Sequence, residues 1–217
     1  MSVQATSAEL GVRVHPTAEV DSGAAIGSGT AVWDHVHVRT GARIGRGCIL
    51  GEKTYVASGV VIGDFVKVNA CVYICAGVDI EDFVMVSAHT AFTNEVLPRA
   101  FTPDLSGPET SDPTERTMRT VVRRGSTIGA NVTVGPGLEI GEFAMVGMGS
   151  VVTRDILPFQ LVYGNPARHR GYVCVCGDQL GGVDLFGPAS SEPDCDRCGR
   201  RYGRTDGRVS LLEEPRG

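Results

Sequence analysis

Aromatic side chains are scarce in this chain, at 6% of 217 residues with one tryptophan, Trp33. A core built around large rings is therefore excluded, and small aliphatic groups must fill the interior. Long hydrophobic runs are missing too, and none approaches the ~18 apolar residues of a membrane span. The opening MSVQATSAEL has neither the basic nor the apolar region of a secretory leader. The expected address is the cytoplasm, with no membrane partner. Positive charge is not in excess either. Twenty Lys and Arg against 25 Asp and Glu leave a net charge of −5, which argues against nucleic acid as a partner. In a cytoplasmic protein the seven cysteines read as metal ligands or core thiols rather than disulfides.

What is abundant is glycine, at 29 residues, together with a repeat of period six. From Val14 an aliphatic anchor recurs at Val20, Ile26, Val32, Val38, Ile44, Leu50, Val56, Ile62, Val68, Ile74, Ile80 and Val86, and then Phe92. Four residues after each anchor stands a small or β-branched residue, such as Ala18, Thr30, Ala42, Cys48 or Thr54. The register resumes at Val122, Ile128, Val134, Ile140, Val146 and Val152. A period of six fits neither a helix nor a plain alternating strand. It fits a short flat strand followed by a sharp turn, repeated. No single hexad buries its own apolar face, so stability must come from stacking.

After Gly171 the rhythm is gone. Cys174 and Cys176, then Cys195 and Cys198, make two tight pairs with a long segment between them, a pattern suited to tetrahedral zinc. Gly177 and Gly199 follow the pairs where a turn calls for positive φ. A tail this short cannot bury a core of its own, so a structural zinc would supply its stability. Four thiolates leave no open coordination position for catalysis.

The hexad pattern resembles the hexapeptide-repeat acyltransferases. The segments VWDHVHVRTGARIGRGCILGEKTYV and FTNEVLPRA resemble one branch of them, the nucleotide-sugar 3-N-acetyltransferases. The resemblance runs from about Val14 to Arg170. It implies an all-β fold, a left-handed parallel β-helix with three hexads per coil; the general rule for crossovers would have favoured the right hand. The expected organisation is a lead over 1–13, a β-helix over 14–170 with an excursion at 93–121, and a zinc ribbon over 171–217. The resemblance also implies a homotrimer with active sites between neighbouring β-helices, and transfer of an acyl group from acetyl-CoA, or another acyl-CoA, to an amine of a nucleotide-linked sugar.

With three hexads per coil, outward columns are expected at His35–Lys53–Cys71–His89, at His37–Tyr55–Tyr73–Ala91 and at Thr40–Ser58–Ala76–Asn94. The break in rhythm after Phe92 would make a pocket on an otherwise smooth tube. Beside it, His89 is the candidate general base and Asn94 the candidate to orient acceptor or carbonyl. Glu95, Arg99, His35, His37 and Tyr73 are candidate substrate contacts. The ending VVTRDI…VYGNPAR resembles the family's coenzyme A segment, with Gly135, Gly147, Arg154 and Arg168 as candidate contacts. The chain departs from the family at Cys75-Ala76-Gly77, where Tyr-Glu-Gly is usual, so a carboxylate beneath Asn94 is missing.

Three rival readings share the fold: a non-enzymatic scaffold presenting Trp33, Tyr55 and Tyr73, an O-acyltransferase, and a metalloenzyme of the γ-carbonic-anhydrase type. The last needs three converging histidines, yet His35 and His89 lie three coils apart, roughly 14 Å at strand spacing.

Overall fold

The structure, a computed structural model, describes residues 11–180, 194–205 and 207–213. The expected lead over 1–13 falls outside these apart from its last three residues. Strands of two or three residues separated by four-residue turns wind into a parallel β-solenoid of about eight turns. Among the described residues there is no α-helix. Three sheets form the faces of the tube. The first runs through Ala31–Val32 and Ile49–Leu50, the second through His37–Val38 and Tyr55–Val56, and the third through Arg43–Ile44 and Val61–Ile62.

The register is the one that the hexads imply. Val38 pairs with Val56, and Ile44 with Ile62, each a step of three hexads. The anchors point inward: Val38, Leu50, Val56, Val68, Ile74, Ile128 and Ile140 are fully buried. The small partners line the same core, and several carry hydroxyls. The threonines among them are satisfied by the backbone of the next coil, as Thr30 Oγ1 donates to the Gly45 carbonyl at 2.8 Å and Thr54 Oγ1 to that of Asn69 at 3.0 Å, whereas the buried Ser126 hydroxyl has no partner. A buried hydroxyl without such a partner would cost about 1–3 kcal/mol.

Most corners hold one residue in the left-handed region. At the corner between the first and second faces these are His35, Lys53, Cys71, His89 and Asn131, with φ of 53–59°. At the corner between the third and first faces they include Phe65, Phe83, Phe143 and Phe159. Phe65 stacks on Phe83 at 5.3 Å and Phe143 on Phe159 at 5.5 Å. A Cβ on Gly47 would lie 2.7 Å from the Phe65 ring, so the glycine makes room for it.

The excursion leaves at the corner between the second and third faces, after Ala91–Phe92, and the chain returns at Thr120–Val122. Ile80 pairs with Ile62, a step of three hexads, and then with Val122, a step of seven. The coil thus takes up the length of four extra hexads without losing register. The neck is closed by Met118 N–H donating to the Asn94 carbonyl at 2.8 Å and by Thr120 N–H donating to that of Gly77 at 2.9 Å. Arg119 pairs with Asp79 at 2.6 Å. Within the loop Phe101 bridges Pro108 in antiparallel fashion, and Asp104 accepts from Thr102 Oγ1 at 2.7 Å and from Ser106 Oγ at 2.8 Å.

The tail folds onto the end of the tube. Strand Arg168–Tyr172 runs antiparallel to Gln160–Tyr163, and Arg201–Thr205 pairs with Arg208–Glu213. Phe159 meets Tyr202 edge-on at 5.5 Å, and the Tyr172 hydroxyl donates to the Gly207 carbonyl at 2.7 Å.

Candidate functional site

The three expected columns are formed. His37, Tyr55, Tyr73 and Ala91 pair in sequence across the second face. Asn94 stands over Ala76, its side-chain amide donating to the Ala76 carbonyl at 3.2 Å. His89 N–H donates to the Ala70 carbonyl at 3.0 Å, continuing the corner column that begins at His35.

The excursion encloses a cleft of about 600 Å³ against the second face. Four sequence candidates line it: Tyr73, Asn94, Glu95 and Arg99. The far wall comes from the returning half of the loop, Glu109 to Pro113, which sequence reasoning did not single out. A Ser-Asp-Pro turn at 111–113 is the only signal that could have placed that segment beside the coil. The wall carries the carboxylates of Glu95, Glu109 and Asp112 with the guanidinium of Arg99, a balance that suits an ammonium group with a nearby anion.

His89 is not on this wall. It is exposed at the opposite edge of the second face, five residues from Asn94 and so roughly 16 Å away along the strand. One chain does not bring these two candidates together. His35 lies on the same edge as His89, and His37 lies beneath Tyr55. His37 Nε2 is 3.2 Å from Asp21, and Arg39 Nε donates to Asp21 at 2.9 Å. Hydrogen bonds from His37, then Arg39 and Thr40, outweigh desolvation and hold the Asp21 carboxyl below the usual carboxylate range.

A second cavity, about 240 Å³, opens at the last coil and is lined by both predicted arginines, Arg154 and Arg168, with Gln160 and His169. Both His169 ring nitrogens are buried without a hydrogen-bond partner. Burial, with the charge of Arg204, pushes its pKa below the ordinary histidine value. Gly147 is accounted for by packing, since a Cβ there would lie 2.7 Å from that of Tyr163. Gly135 likewise faces the Val152 carbonyl. The two cavities share one edge of the tube. Asn94, Pro136 and Arg154 each stand two residues beyond the paired strand ends Phe92, Val134 and Val152. Two coils separate Asn94 from Arg154, roughly 10 Å of rise.

The four tail cysteines converge, their sulfurs all within 4.8 Å of one another. Cys174 Sγ lies 3.4 Å from Cys198 Sγ, and Cys176 Sγ lies 3.6 Å from Cys195 Sγ. Sulfurs bound tetrahedrally at ~2.3 Å from zinc stand about 3.8 Å apart, so the cluster fits a ZnS₄ site. Gly177 and Gly199 take the expected positive φ, 87° and 71°. Burial opposes ionisation of Cys198, but hydrogen bonds from the Arg200 backbone and guanidinium and from the neighbouring thiols bring it down to about 6. Among the described residues this is the one group of three or more His, Cys, Asp or Glu side chains able to hold a metal.

Fold and clefts together define a hexad-built β-solenoid with a loop-walled pocket. The chain is similar to dTDP-3-amino-3,6-dideoxy-alpha-D-galactopyranose 3-N-acetyltransferase of Aneurinibacillus thermoaerophilus, at 51% identity over 94 residues, 43% of this chain and 45% of that one. It is also 39% identical over 57 residues to a chloramphenicol acetyltransferase of Klebsiella aerogenes, 26% of this chain and 27% of that one. The matches span less than half the length of these relatives. A solved protein structure from Bacillus cereus shares the fold at a TM-score of 0.50, with 20% identity over 75% of this chain and 83% of that one. No protein-family model matches the chain.

Proposed function

We propose that the protein is an acyl-CoA-dependent N-acyltransferase that acetylates an amino group on a nucleotide-linked amino-deoxy sugar. The observation that carries this reading is the 51% identity over 94 residues to a 3-N-acetyltransferase acting on a dTDP-linked 3-amino sugar. The clefts support it. The acidic wall of the loop cleft attracts an ammonium group, and Arg99 offers charge to a diphosphate. Arg154 and Arg168, two coils further along the same edge, suit the phosphates of coenzyme A. The intervening ~10 Å is a length the pantetheine arm spans in extended form.

The chemistry is attack of an uncharged amine on a thioester carbonyl. The C–N bond forms, the tetrahedral oxyanion collapses, the C–S bond breaks and the amine proton goes to a base or to the leaving sulfur. Asn94 orients the acceptor or the carbonyl. His89 acts as the base only if a neighbouring copy presents its histidine edge to this cleft. A homotrimer with sites between chains supplies that arrangement and uses both edges of the second face. Zinc bound by Cys174, Cys176, Cys195 and Cys198 holds the tail closed and takes no part in transfer. We place the enzyme in the cytoplasm, where acyl-CoA and nucleotide sugars occur; no described helix is long and apolar enough to cross a membrane.

The direct test is thiol release from acetyl-CoA with dTDP- or UDP-linked 3-amino sugars as acceptors. Turnover above hydrolysis, with the product mass raised by one acetyl group, supports the reading. Binding of acetyl-CoA without transfer to any amino or hydroxyl sugar would leave the scaffold reading in its place.

A further inference from the structure

The second face carries an unfinished stack of rings. His37 meets Tyr55 edge-on with centroids 5.7 Å apart, and Tyr55 lies parallel to Tyr73, 5.4 Å away at an interplanar angle of 10°. The foot of this ladder is fixed: His37 and Arg39 both bond Asp21, and Arg39 also reaches the Tyr55 hydroxyl at 3.4 Å. The top is not. The rungs after Tyr73 are Ala91 and Thr133, so the aromatic run ends in a methyl group, and among the described residues no ring covers the upper face of Tyr73. That ring is 49% exposed and forms part of the wall of the loop cleft, beside Asn94 and Arg99.

We propose that the base of the acceptor nucleotide completes this stack, lying on Tyr73 over Ala91, with its diphosphate toward Arg99. The claim rests on the acyltransferase reading above and adds to it the residues that seat the base. Three features argue for a flat heteroaromatic occupant rather than a sugar or an aliphatic chain. Successive coils set rungs ~4.8 Å apart, so the place above Tyr73 has the spacing of an offset ring stack. Alanine at 91 leaves there a space that a larger side chain would fill. The ladder beneath is pinned by charge-assisted hydrogen bonds, so the platform is formed before a ligand arrives and little ordering is lost on binding. A cleft of about 600 Å³ is of the size that holds a small ligand. Such a site has an affinity for bases that is tolerant of their identity, because every base has a π-face. Selection for one nucleotide then falls to groups on the rim of the cleft.

Coenzyme A also carries a base, so the experiment must separate the two sources. Equilibrium binding of dTDP, UDP and coenzyme A to the full-length protein is measured by calorimetry for wild type, Tyr73→Ala, Tyr73→Trp and Ala91→Phe, with thermal melts and light scattering alongside. Tyr73→Ala is expected to weaken dTDP and UDP by roughly tenfold or more, the effect of losing one base–aromatic stack. Tyr73→Trp keeps the platform and retains affinity to within about threefold. Ala91→Phe places a protein ring in the slot and weakens both nucleotides as strongly as Tyr73→Ala. Coenzyme A affinity, melting temperature and mass are expected to stay at wild-type values. Wild-type dTDP affinity in both Tyr73→Ala and Ala91→Phe would overturn the stack while leaving the acyltransferase reading intact. Loss of coenzyme A binding instead of dTDP binding would assign Tyr73 to the other substrate and overturn it. A change of mass accompanying the loss would show the slot to be a seat for a neighbouring chain. Failure of the wild-type protein to bind either nucleotide or to transfer to any nucleotide sugar would overturn both proposals together.

Discussion

Asn94 donates its side-chain amide to the carbonyl of Ala76, one coil beneath it, at 3.2 Å. The residue that opens the excursion is thereby tied to the one where a carboxylate is usual in the branch of acyltransferases that the chain resembles. With alanine there, the Asn94 amide is held by the backbone while the residue lines the cleft.

The Asn94→Ala variant tests that arrangement. The neck of the excursion is held by the Asn94 backbone carbonyl, which accepts from Met118, so the loop stays closed without the side chain. A lost hydrogen bond to substrate costs about 1–3 kcal/mol, which raises the KM for the acceptor some 5- to 150-fold by the usual conversion. The KM for acetyl-CoA is expected to stay constant. Steady-state kinetics with the acceptor and then acetyl-CoA as varied substrate reads both values.

His89 and Asn94 sit on opposite edges of the second face, which makes subunit complementation a test of where the site is assembled. His89→Ala alone is expected to lower turnover by about a hundredfold if the histidine is the base. If the chain assembles as the proposed homotrimer, Asn94→Ala chains unfolded and refolded together with His89→Ala chains are expected to form mixed trimers, in which some clefts combine an intact His89 edge with an intact Asn94 edge. Activity in the mixture well above either variant supports a shared site. No recovery in a mixture shown to exchange subunits removes His89 from the cleft.

The solenoid was legible because its determinant is local and repeated. Each anchor from Val32 to Val152 needs only its own hexad and its neighbours one coil above and below, and the register survives even the long insertion after Phe92. The cysteine pairs and their glycines were legible for the same reason. The cleft was half legible. Tyr73, Asn94, Glu95 and Arg99 follow the repeat or flank its break, whereas Glu109 and Asp112 reach the wall only through the path of a loop without any period. The separation of His89 from Asn94 follows from the hexad itself, since five residues cross one face. Nearness in sequence is the wrong measure on a flat strand. His169 is a further case: Arg168 stood out by its motif, while the buried ring beside it depends on how the tail folds back.

The tip of the excursion is expected to be acid-sensitive. Hydrogen bonds from Thr102, then Ser106, lower the Asp104 pKa from 3.8 to about 2. The folded chain therefore keeps this carboxylate charged at pH values where the unfolded chain protonates it. Its contribution is complete above about pH 4 and is lost as the pH falls toward 2. Amide hydrogen exchange at Ser106 should quicken over that interval in wild type and be fast and flat with pH, after correction for intrinsic exchange, in Asp104→Ala. An unchanged protection factor down to pH 2 would show that the tip is held by other contacts.

Removal of the proposed zinc is expected to loosen the tail and leave the tube intact. The four thiols lie on two turns, and the elements they join pack on Phe159 through Tyr202. Tyr202 also accepts from the Val175 N–H at 2.9 Å and donates to Cys174 Sγ at 3.0 Å. Without metal, four unligated thiols give little to hold the two turns against chain entropy. Purified protein is expected to carry one zinc per chain by elemental analysis. The double variant Cys195→Ser, Cys198→Ser should carry none. Its β-helix, with more than thirty buried side chains of its own, is expected to keep its far-ultraviolet dichroism and its cooperative melt. The change should appear in the near-ultraviolet signal of Tyr172 and Tyr202 and in faster proteolysis after Gly171. Binding of coenzyme A is expected to weaken as well, because Arg168 and Cys174 lie on one continuous segment and the strand Arg168–Tyr172 loses its outer support. Full zinc content in the double variant would show that the ligands are other groups. Loss of the β-helix melt along with the zinc would show that the tail is part of one cooperative unit with the tube.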